Sequence, residues 1–202
     1  MGTYRHALPQ LSDRVTLTDG GIETTLIYHE GIELPCFAAF VLLVDDAGRA
    51  ALVRYFASYL SLAREAGLPV VVESPTWRAS RDWGRLLGYD GDGLAEVNRR
   101  AVALLAQLRG EYATVESPVV ISGCIGPRGD GYQPDALLTA AEAEDYHGEQ
   151  IATFRTSAAD LVTAITMTHT GEAIGIARAP ASSRSPWRPM AGCRRGRRCR
   201  KR

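Results

Sequence analysis

The chain has 202 residues, of which 46% are hydrophobic and 23% charged, a composition that excludes disorder of the whole chain and suits one domain with a buried core. Nine of its 23 basic residues lie in residues 180–202, which hold no acid, so the preceding residues carry 14 basic and 23 acidic side chains. The sequence lacks a secretion signal at its N-terminus and any apolar run long enough for a membrane span, which predicts a cytoplasmic protein with free cysteines.

Four short runs rich in valine and isoleucine predict buried strands. In chain order they are RVTLTDGG at residues 14–21, LPVVVESP at 68–75, SPVVISGC at 117–124 and ADLVTAIT at 159–166.

Apolar residues spaced three and four apart predict a helix in each of the first two gaps, over residues 52–63 and 94–108. The first helix should stop at Gly67 and the second at Gly110. The third gap contains TAAE at residues 139–142, a capping-box pattern that predicts the start of another helix. A short helix through GEAIGIAR follows the fourth run.

Repeated strand-helix units of roughly 40 to 55 residues predict an α/β fold with a parallel sheet, because parallel neighbours need a crossover that a helix supplies. Two sheet architectures fit this pattern, an open doubly wound sheet and part of a closed (β/α)8 barrel. A complete barrel typically needs about 250 residues, so four units would form its first half.

In both architectures, ligands bind at the carboxyl ends of the strands. The first run ends in Asp19, which can hold an ammonium, followed by Gly20 and Gly21, which permit positive φ and close approach of the backbone. The alternative is a tight turn with a helix-capping aspartate. Glu73 ends the second run and is predicted to be either a ligand-binding residue or the partner of a buried arginine, because an unpaired buried charge is unfavourable.

Other motifs argue against phosphate and metal chemistry. The glycine-rich loop after the third run, ISGCIGPRGDGY, lacks the spacing of a dinucleotide loop, and the chain's only lysine is Lys201. The histidines form no zinc-binding pair. Cys124 at the end of the third run is interpreted as a buried thiol that could contact a ligand.

Five segments in this order resemble the homocysteine S-methyltransferase family: LTDGGIETTL, VVVESPTWRAS, VVISGCIGPRGDGY, YHGEQI and EAIGI. The first matches the family's D-G-G-x-x-T-x-L turn, and the second is similar to its E-T-N-T-Y-x-A-S segment through Glu73 and Thr76. The resemblance runs from residue 15 to about residue 178.

The resemblance implies a TIM barrel that transfers a methyl group from an activated donor to the thiol of homocysteine, giving methionine. It implies that Asp19, Gly20, Gly21 and Glu73, with Thr76 in the same motif, bind the amino-acid end of homocysteine. It also implies a zinc ion held by three cysteines, since coordination turns a thiol of pKa about 8.5 into a bound thiolate.

The chain departs from the family in two respects. Ile165 stands where the family often has a glutamate at the end of the fourth strand, so one contact to the amino group is missing or supplied elsewhere. No G-x-N-C or G-G-C-C motif occurs, and Cys193 and Cys199 match no ligand position. The sequence therefore assigns no metal ligand and predicts that this chain does not bind zinc and is impaired as an enzyme. The methyl donor stays open among S-methylmethionine, S-adenosylmethionine, betaine and folate.

The sequence divides into a partial barrel domain, residues 1–179, and a basic low-complexity tail, residues 180–202. Arginine, proline, serine, alanine and glycine dominate the tail, as in a GC-rich gene translated out of frame, and a frameshift or truncation is the favoured interpretation. For the tail, the alternative is a genuine arginine-rich segment that binds nucleic acid through phosphate contacts. For the function of the chain, the alternatives to an impaired methyltransferase are an inactive homocysteine-binding remnant and a nucleic-acid-binding protein that uses this tail. A half barrel should also self-associate through its unpaired strand edges and apolar inner face.

Overall fold

The computed structural model describes residues 2–132 and 137–179, which alternate strands and helices along the chain. The tail, residues 180–202, lies outside these residues, and so do the predictions made for it. One strand forms in each of the four predicted runs: β1 (Leu17–Thr18), β2 (Val70–Glu73), β3 (Val119–Ile125) and β4 (Leu161–Ala164). β3 continues one residue past the end of its run.

The strands form one parallel sheet in the order β1-β2-β3-β4, so each strand pairs with the next one in the sequence. The register aligns Leu17 with Val70, Val71 with Val120, and Gly123 with Val162. A doubly wound sheet reverses its strand order at a switch point, and this sheet does not. The order therefore fits the first four units of a barrel, as predicted.

The helices that lie between the strands and after β4 begin and end as follows: α1 (Ile22–Thr24), α2 (Asp46–Ala66), α3 (Arg81–Leu86), α4 (Gly91–Tyr112), α5 (Ala140–Arg155) and α6 (Thr170–Arg178). A π-helix (Thr25–His29) and three 3-10 helices (Pro9–Leu11, Pro35–Phe37, Ala39–Leu43) complete the described elements. The searched residues contain no helix that is both long and apolar enough to cross a membrane.

The predicted helix termini are confirmed at two places and wrong at one. Gly67 caps α2 with a left-handed φ of 62°, and Thr139 and Glu142 form both hydrogen bonds of the capping box at the start of α5. Gly110, predicted to end α4, lies inside it, because the helix continues to Tyr112 and ends when Ala113 turns extended. Gly110 does not adopt the left-handed conformation with which a glycine commonly ends a helix.

The two faces of the sheet pack against different parts of the chain. Val70 and Val72 face the helices and belong to the main core. Val71, Val120 and Leu161 alternate with them and face the opposite side, where Tyr4 and Leu8 pack against them. This second face is the inner face of the barrel. Its apolar layer is buried, which corrects the prediction that it would lie exposed, because the N-terminal segment covers it.

Asp160 anchors that N-terminal segment. Its Oδ1 accepts a hydrogen bond from Tyr4 N at 2.8 Å, and its Oδ2 accepts from Ile121 N and from Arg109, both at 2.9 Å. The Asp160 side chain is fully buried. Both of its buried oxygens accept hydrogen bonds, so this one residue connects the N-terminus, the sheet and α4. Self-association through the edges of β1 and β4 stays a prediction.

Candidate functional site

A cavity of about 420 Å³ opens at the carboxyl ends of the strands, above the apolar layer of the inner face. Residues that follow or end all four strands line it, among them Asp19, Glu73, Cys124 and Ile165. Side chains alternate along a strand, so the inward positions after Val71, Val120 and Leu161 are Glu73, Ser122 and Thr163. The inner face is thus apolar at its base and polar at the cavity.

Asp19 and the two glycines form the turn from β1 into α1. Asp19 N donates to Val71 O at 3.3 Å, and Asp19 Oδ1 accepts from Glu73 N at 3.2 Å, so the aspartate is held against the end of β2. Neither glycine has a positive φ, which corrects that part of the prediction. Gly20 packs closely instead: a Cβ there would lie 2.7 Å from the hydroxyl oxygen of Tyr59, so this tyrosine would have to shift.

Glu73 points from the end of β2 into the cavity, and only one of its two carboxylate oxygens accepts hydrogen bonds from described residues. Hydrogen bonds from the Ser122 and Thr163 hydroxyls stabilise its charged form, yet burial prevails and raises its pKa to about 7. Its Oε2 is buried, and no donor among the described residues reaches it. The predicted alternative, a partner arginine, is therefore not found within the described part of the chain.

The pKa of Asp19 is raised further above its ordinary value than the pKa of Glu73. Burial raises its pKa to about 8, and the neighbouring charge of Glu73 adds to the increase. The hydroxyl of Tyr55 lies 3.5 Å from Asp19 Oδ2 and donates at 2.8 Å to the carbonyl oxygen of Gly20. Two carboxyl groups thus face one cavity with little compensating positive charge.

A third carboxylate, which the sequence analysis missed, belongs to Glu23 in α1. Its side chain is 9% exposed, it lines the same cavity, and burial raises its pKa to about 7. The charge of Arg78 opposes that shift. The available signal was an acidic residue within the apolar stretch GIETTLI, where a helix that buries one face would not otherwise place a charge.

Thr76 lies behind the cavity wall, in contrast to the other predicted residues. It is fully buried, and its hydroxyl donates to the carbonyl oxygen of Cys124 at 2.8 Å and contacts Ser74 Oγ at 2.7 Å. Ser74 Oγ in turn accepts from Cys124 N at 3.0 Å. Thr76 therefore joins the segment after β2 to β3, and Ser74 lines the cavity in its place.

Arg78 fixes the glycine-rich loop that follows β3. Its guanidinium lies between the rings of Trp77 and Trp83, 4.2 and 3.7 Å from their centroids, and donates to Gly129 O at 3.0 Å. Gly126 N donates to Trp77 O at 3.1 Å. The loop thereby brings Tyr132 to the cavity, where Trp77 also contributes to the wall.

Cys124 lines the cavity as a protonated thiol. Burial raises its pKa well above the ordinary value, and the charges of Glu73, Glu23 and Asp19 raise it further. A thiol is nucleophilic only as the thiolate, so this environment makes Cys124 a poor nucleophile. Its position in the cavity agrees with the prediction that it could contact a ligand.

The described residues do not fit a zinc ion. They contain no group of three or more histidine, cysteine, aspartate or glutamate side chains placed to hold a metal. Their two cysteines are separated, since Cys36 is exposed and Cys124 is buried in the cavity wall. Ile165, at the position where the resemblance leads us to expect a glutamate, contributes an apolar surface to the cavity.

Comparison with known proteins agrees with this architecture. A family model described as homocysteine S-methyltransferase matches residues 16–193, a span that passes residue 179 and enters the undescribed tail. A search of curated proteins finds no match.

Two solved structures of the homocysteine methyltransferase MmuM from Escherichia coli share the fold. The metallated form aligns with a TM-score of 0.67 and the oxidized form with 0.70, both at 16% identity. The alignments cover 89% and 90% of this chain but only 63% and 62% of the MmuM chain. The described sheet therefore corresponds to part of a larger barrel.

Proposed function

Because the chain belongs to the homocysteine S-methyltransferase family, we propose that its cavity binds homocysteine, the acceptor in a methyl transfer that yields methionine. Within this proposal, Asp19 and Glu73 bind the amino group, and the turn of Gly20 and Gly21 lets the backbone approach the amino-acid end. The methyl donor is a second small molecule whose identity this half of the site does not determine.

The observation that carries the proposal is the concentration of carboxylates in one cavity. Asp19, Glu23 and Glu73 all line it, and the described lining contains no arginine or lysine. Burial makes each of these charged groups unfavourable, as their raised pKa values reflect. A bound ammonium offsets that penalty, because an opposite charge within a few ångströms favours the carboxylate form. The cavity is thus suited to the charged amino group of an amino acid.

The transfer itself needs an activated sulfur. A bond forms between the methyl carbon and the sulfur, the bond to the donor breaks with its electron pair leaving on the donor, and the thiol must lose its proton. Zinc supplies that activation in the family by binding the sulfur as a thiolate. The described residues offer no ligand set for it, so we assign no step to a metal and propose that this chain binds homocysteine without turning it over.

Calorimetric titration with L-homocysteine under reducing conditions tests the binding. We expect measurable binding that the Asp19→Asn variant weakens about 10- to 100-fold, because a charge-assisted hydrogen bond in a buried site is lost. Asp13→Asn, an exposed change in the N-terminal segment, serves as the control. Absence of binding to the unaltered chain would contradict the proposal.

Activity is measured separately, by methionine formation from L-homocysteine with each of S-methylmethionine, S-adenosylmethionine, betaine and a methyl-folate, with zinc added and with chelator. We expect no methionine above background in any mixture. Zinc-dependent turnover would show that the chain supplies ligands outside the described residues and would overturn the proposed impairment.

A further inference from the structure

We propose that Glu172 is a positioning residue that holds the glycine-rich loop, residues 126–132, at the cavity through the backbone N–H of Arg128, and that His147 holds Glu172 in place. We call these three groups the loop clamp. The inference rests on the proposed function, because the ligand on which the clamp acts is homocysteine. Its two side chains belong to the segments YHGEQI and EAIGI, which contribute no residue to the cavity wall.

Glu172 joins three parts of the chain at one oxygen atom. It lies in the first turn of α6, and its side chain is only 2% exposed. Its Oε1 accepts a hydrogen bond from Arg128 N at 2.7 Å and lies 2.8 Å from His147 Nε2. Burial by itself would raise the pKa of Glu172, but the hydrogen bonds from His147 and from Arg128 N act against burial, and the pKa lies below its ordinary value. A charged carboxylate therefore connects α5, α6 and the loop after β3.

His147 is suited to donate to this carboxylate. Its side chain is fully buried in α5, and its Nδ1 has no hydrogen-bond partner among the described residues. A protonated Nδ1 would bury an N–H group without an acceptor, whereas an unprotonated one leaves only a lone pair without a donor. We therefore assign the ring proton to Nε2, which donates it to Glu172 Oε1.

The side-chain contacts that hold the loop differ in burial. Arg78 is 5% exposed and donates to Gly129 O at 3.0 Å, next to the N–H that Glu172 accepts. The side chain of Arg128 also pairs with Asp82 at 2.8 Å, but the two side chains are 42% and 30% exposed, and an exposed ion pair stabilises little. Glu172 and Arg78 are therefore the side chains that restrain the loop most.

The loop leads from the clamp to the cavity. It passes Trp77 and Thr166, since a Cβ on Gly131 would lie 3.5 Å from both side chains. Tyr132 follows and lines the cavity, although 86% of the residue is exposed. The loop backbone, rather than burial of the ring, therefore determines where Tyr132 lies, and its position should depend on Glu172.

A role confined to α6 fits these contacts less well. A carboxylate in the first turn of a helix is favoured by the helix dipole, and Glu172 has that position. Its hydrogen bonds, however, come from α5 and from the loop, and the dipole interaction does not require a buried side chain. The two roles also predict different results, because loss of the dipole interaction destabilises α6, whereas loss of the clamp releases the loop.

The first measurement is hydrogen exchange of residues 126–132, followed by mass spectrometry on the full chain without ligand. Glu172→Ala removes the acceptor, Glu172→Gln keeps a neutral one, and His147→Leu removes the donor to Glu172. Ile176→Val, which deletes one buried methyl group from the same helix, is the control for a general loss of stability. We expect exchange in the loop to be at least about 10-fold faster in Glu172→Ala, faster by a smaller factor in Glu172→Gln and His147→Leu, and unchanged in Ile176→Val.

The second measurement is the affinity for L-homocysteine, determined by calorimetry. We expect Glu172→Ala to weaken binding about 3- to 10-fold in the otherwise unaltered chain, because the loop then spends less time in the position that completes the cavity. The same change should have no further effect in a Tyr132→Ala background, since the clamp acts on the ligand through this side chain. Ile176→Val should leave the affinity unchanged.

The outcomes separate the two proposals. Loop exchange that is no faster in Glu172→Ala than in Ile176→Val would overturn the clamp, and an affinity loss of equal size with and without Tyr132 would overturn its action on the ligand. Unchanged exchange in His147→Leu would overturn the part assigned to His147. If the unaltered chain does not bind L-homocysteine, the proposed function fails, and the clamp stands or falls by the exchange measurement. If Glu172→Ala does not fold, Glu172→Gln replaces it in both measurements, with smaller changes expected in the same directions.

Discussion

Replacing Glu73 with glutamine should stabilise the ligand-free protein at pH 8 and change its stability much less at pH 5. Burial raises the pKa of Glu73 from its ordinary 4.5 to about 7. A carboxyl group that binds its proton more tightly when folded stabilises the folded state at low pH, and that contribution is lost as the pH rises from about 4.5 through 7. Glutamine has nearly the same shape but cannot ionise, so it removes this dependence.

The size of the effect follows from the shift in pKa. One unit corresponds to about 1.4 kcal/mol, so the shift of Glu73 lowers the free energy of unfolding by about 3 kcal/mol at pH 8 and by about 0.8 kcal/mol at pH 5. The variant should therefore gain about 2.5 kcal/mol on the unaltered chain between the two pH values. Removing the Glu73 charge also lowers the pKa of Asp19, which acts in the same direction.

Urea unfolding followed by circular dichroism at pH 5 and pH 8 measures this difference directly. The control is Glu33→Gln, an exposed residue whose replacement should leave the pH dependence unchanged. The Glu73→Gln variant should lose affinity for L-homocysteine while it gains stability, since the same buried charge serves binding. A variant that is destabilised by the same amount at both pH values would refute the argument, because it would show that Glu73 is held by structural hydrogen bonds instead.

Three further predictions concern the rest of the described fold. Gly123→Ala should lower the free energy of unfolding, measured by urea titration, by about 1–3 kcal/mol, because its Cβ would lie 2.5 Å from the Phe154 ring. Gly110→Ala is the control: a Cβ there has no neighbour within 4 Å, and the change should raise the free energy of unfolding by up to about 1 kcal/mol. Asp160→Asn should cost about 3 kcal/mol in the same assay, since it removes a fully buried carboxylate that pairs with the partly buried Arg109 and accepts two backbone hydrogen bonds. A change below about 0.5 kcal/mol would contradict the assigned anchor. Brief alkylation at pH 8, mapped by mass spectrometry, should leave Cys124 unmodified until the protein is unfolded, and rapid labelling of the folded chain would contradict its raised pKa.

The acidic cavity shows how binding and stability oppose each other in this protein. Each of its three carboxylates would be easier to bury as a neutral group, and their pKa values of about 7 to 8 mean that they ionise near neutral pH. A cationic ligand should bind more tightly as the pH rises through this range, because the charged carboxylates are the form that attracts it. The site is thus organised for a ligand that supplies the missing positive charge.

Much of the fold was predictable because strand and helix periodicity is a local property of the sequence. The four apolar runs each contain a strand, and the stop at Gly67 and the capping box at Thr139 follow from adjacent residues alone. Gly110 was mistaken for a stop because glycine is compatible with both a helix interior and a helix end. Only the backbone conformation, which packing selects, distinguishes the two.

Part of the candidate site was also predictable. Asp19 and Glu73 were identified because residues that end parallel strands meet at one edge of a sheet, and the structure does place both in one cavity. Thr76 belongs to the same sequence motif as Glu73 but lies behind the wall, since its hydroxyl is used to join the segment after β2 to β3. Two residues of one sequence motif therefore need not both face the cavity.

By itself the sequence determined the order of strands and helices, the excess of acidic residues before residue 180 and the two carboxylates at the strand ends, because these depend on residue type and spacing. Tertiary structure alone decided the order of strands in the sheet, the burial of the inner face by Tyr4 and Leu8, and the presence of Glu23 in the cavity. The physical reason is that these features join segments distant in the chain, and only packing specifies which segments meet.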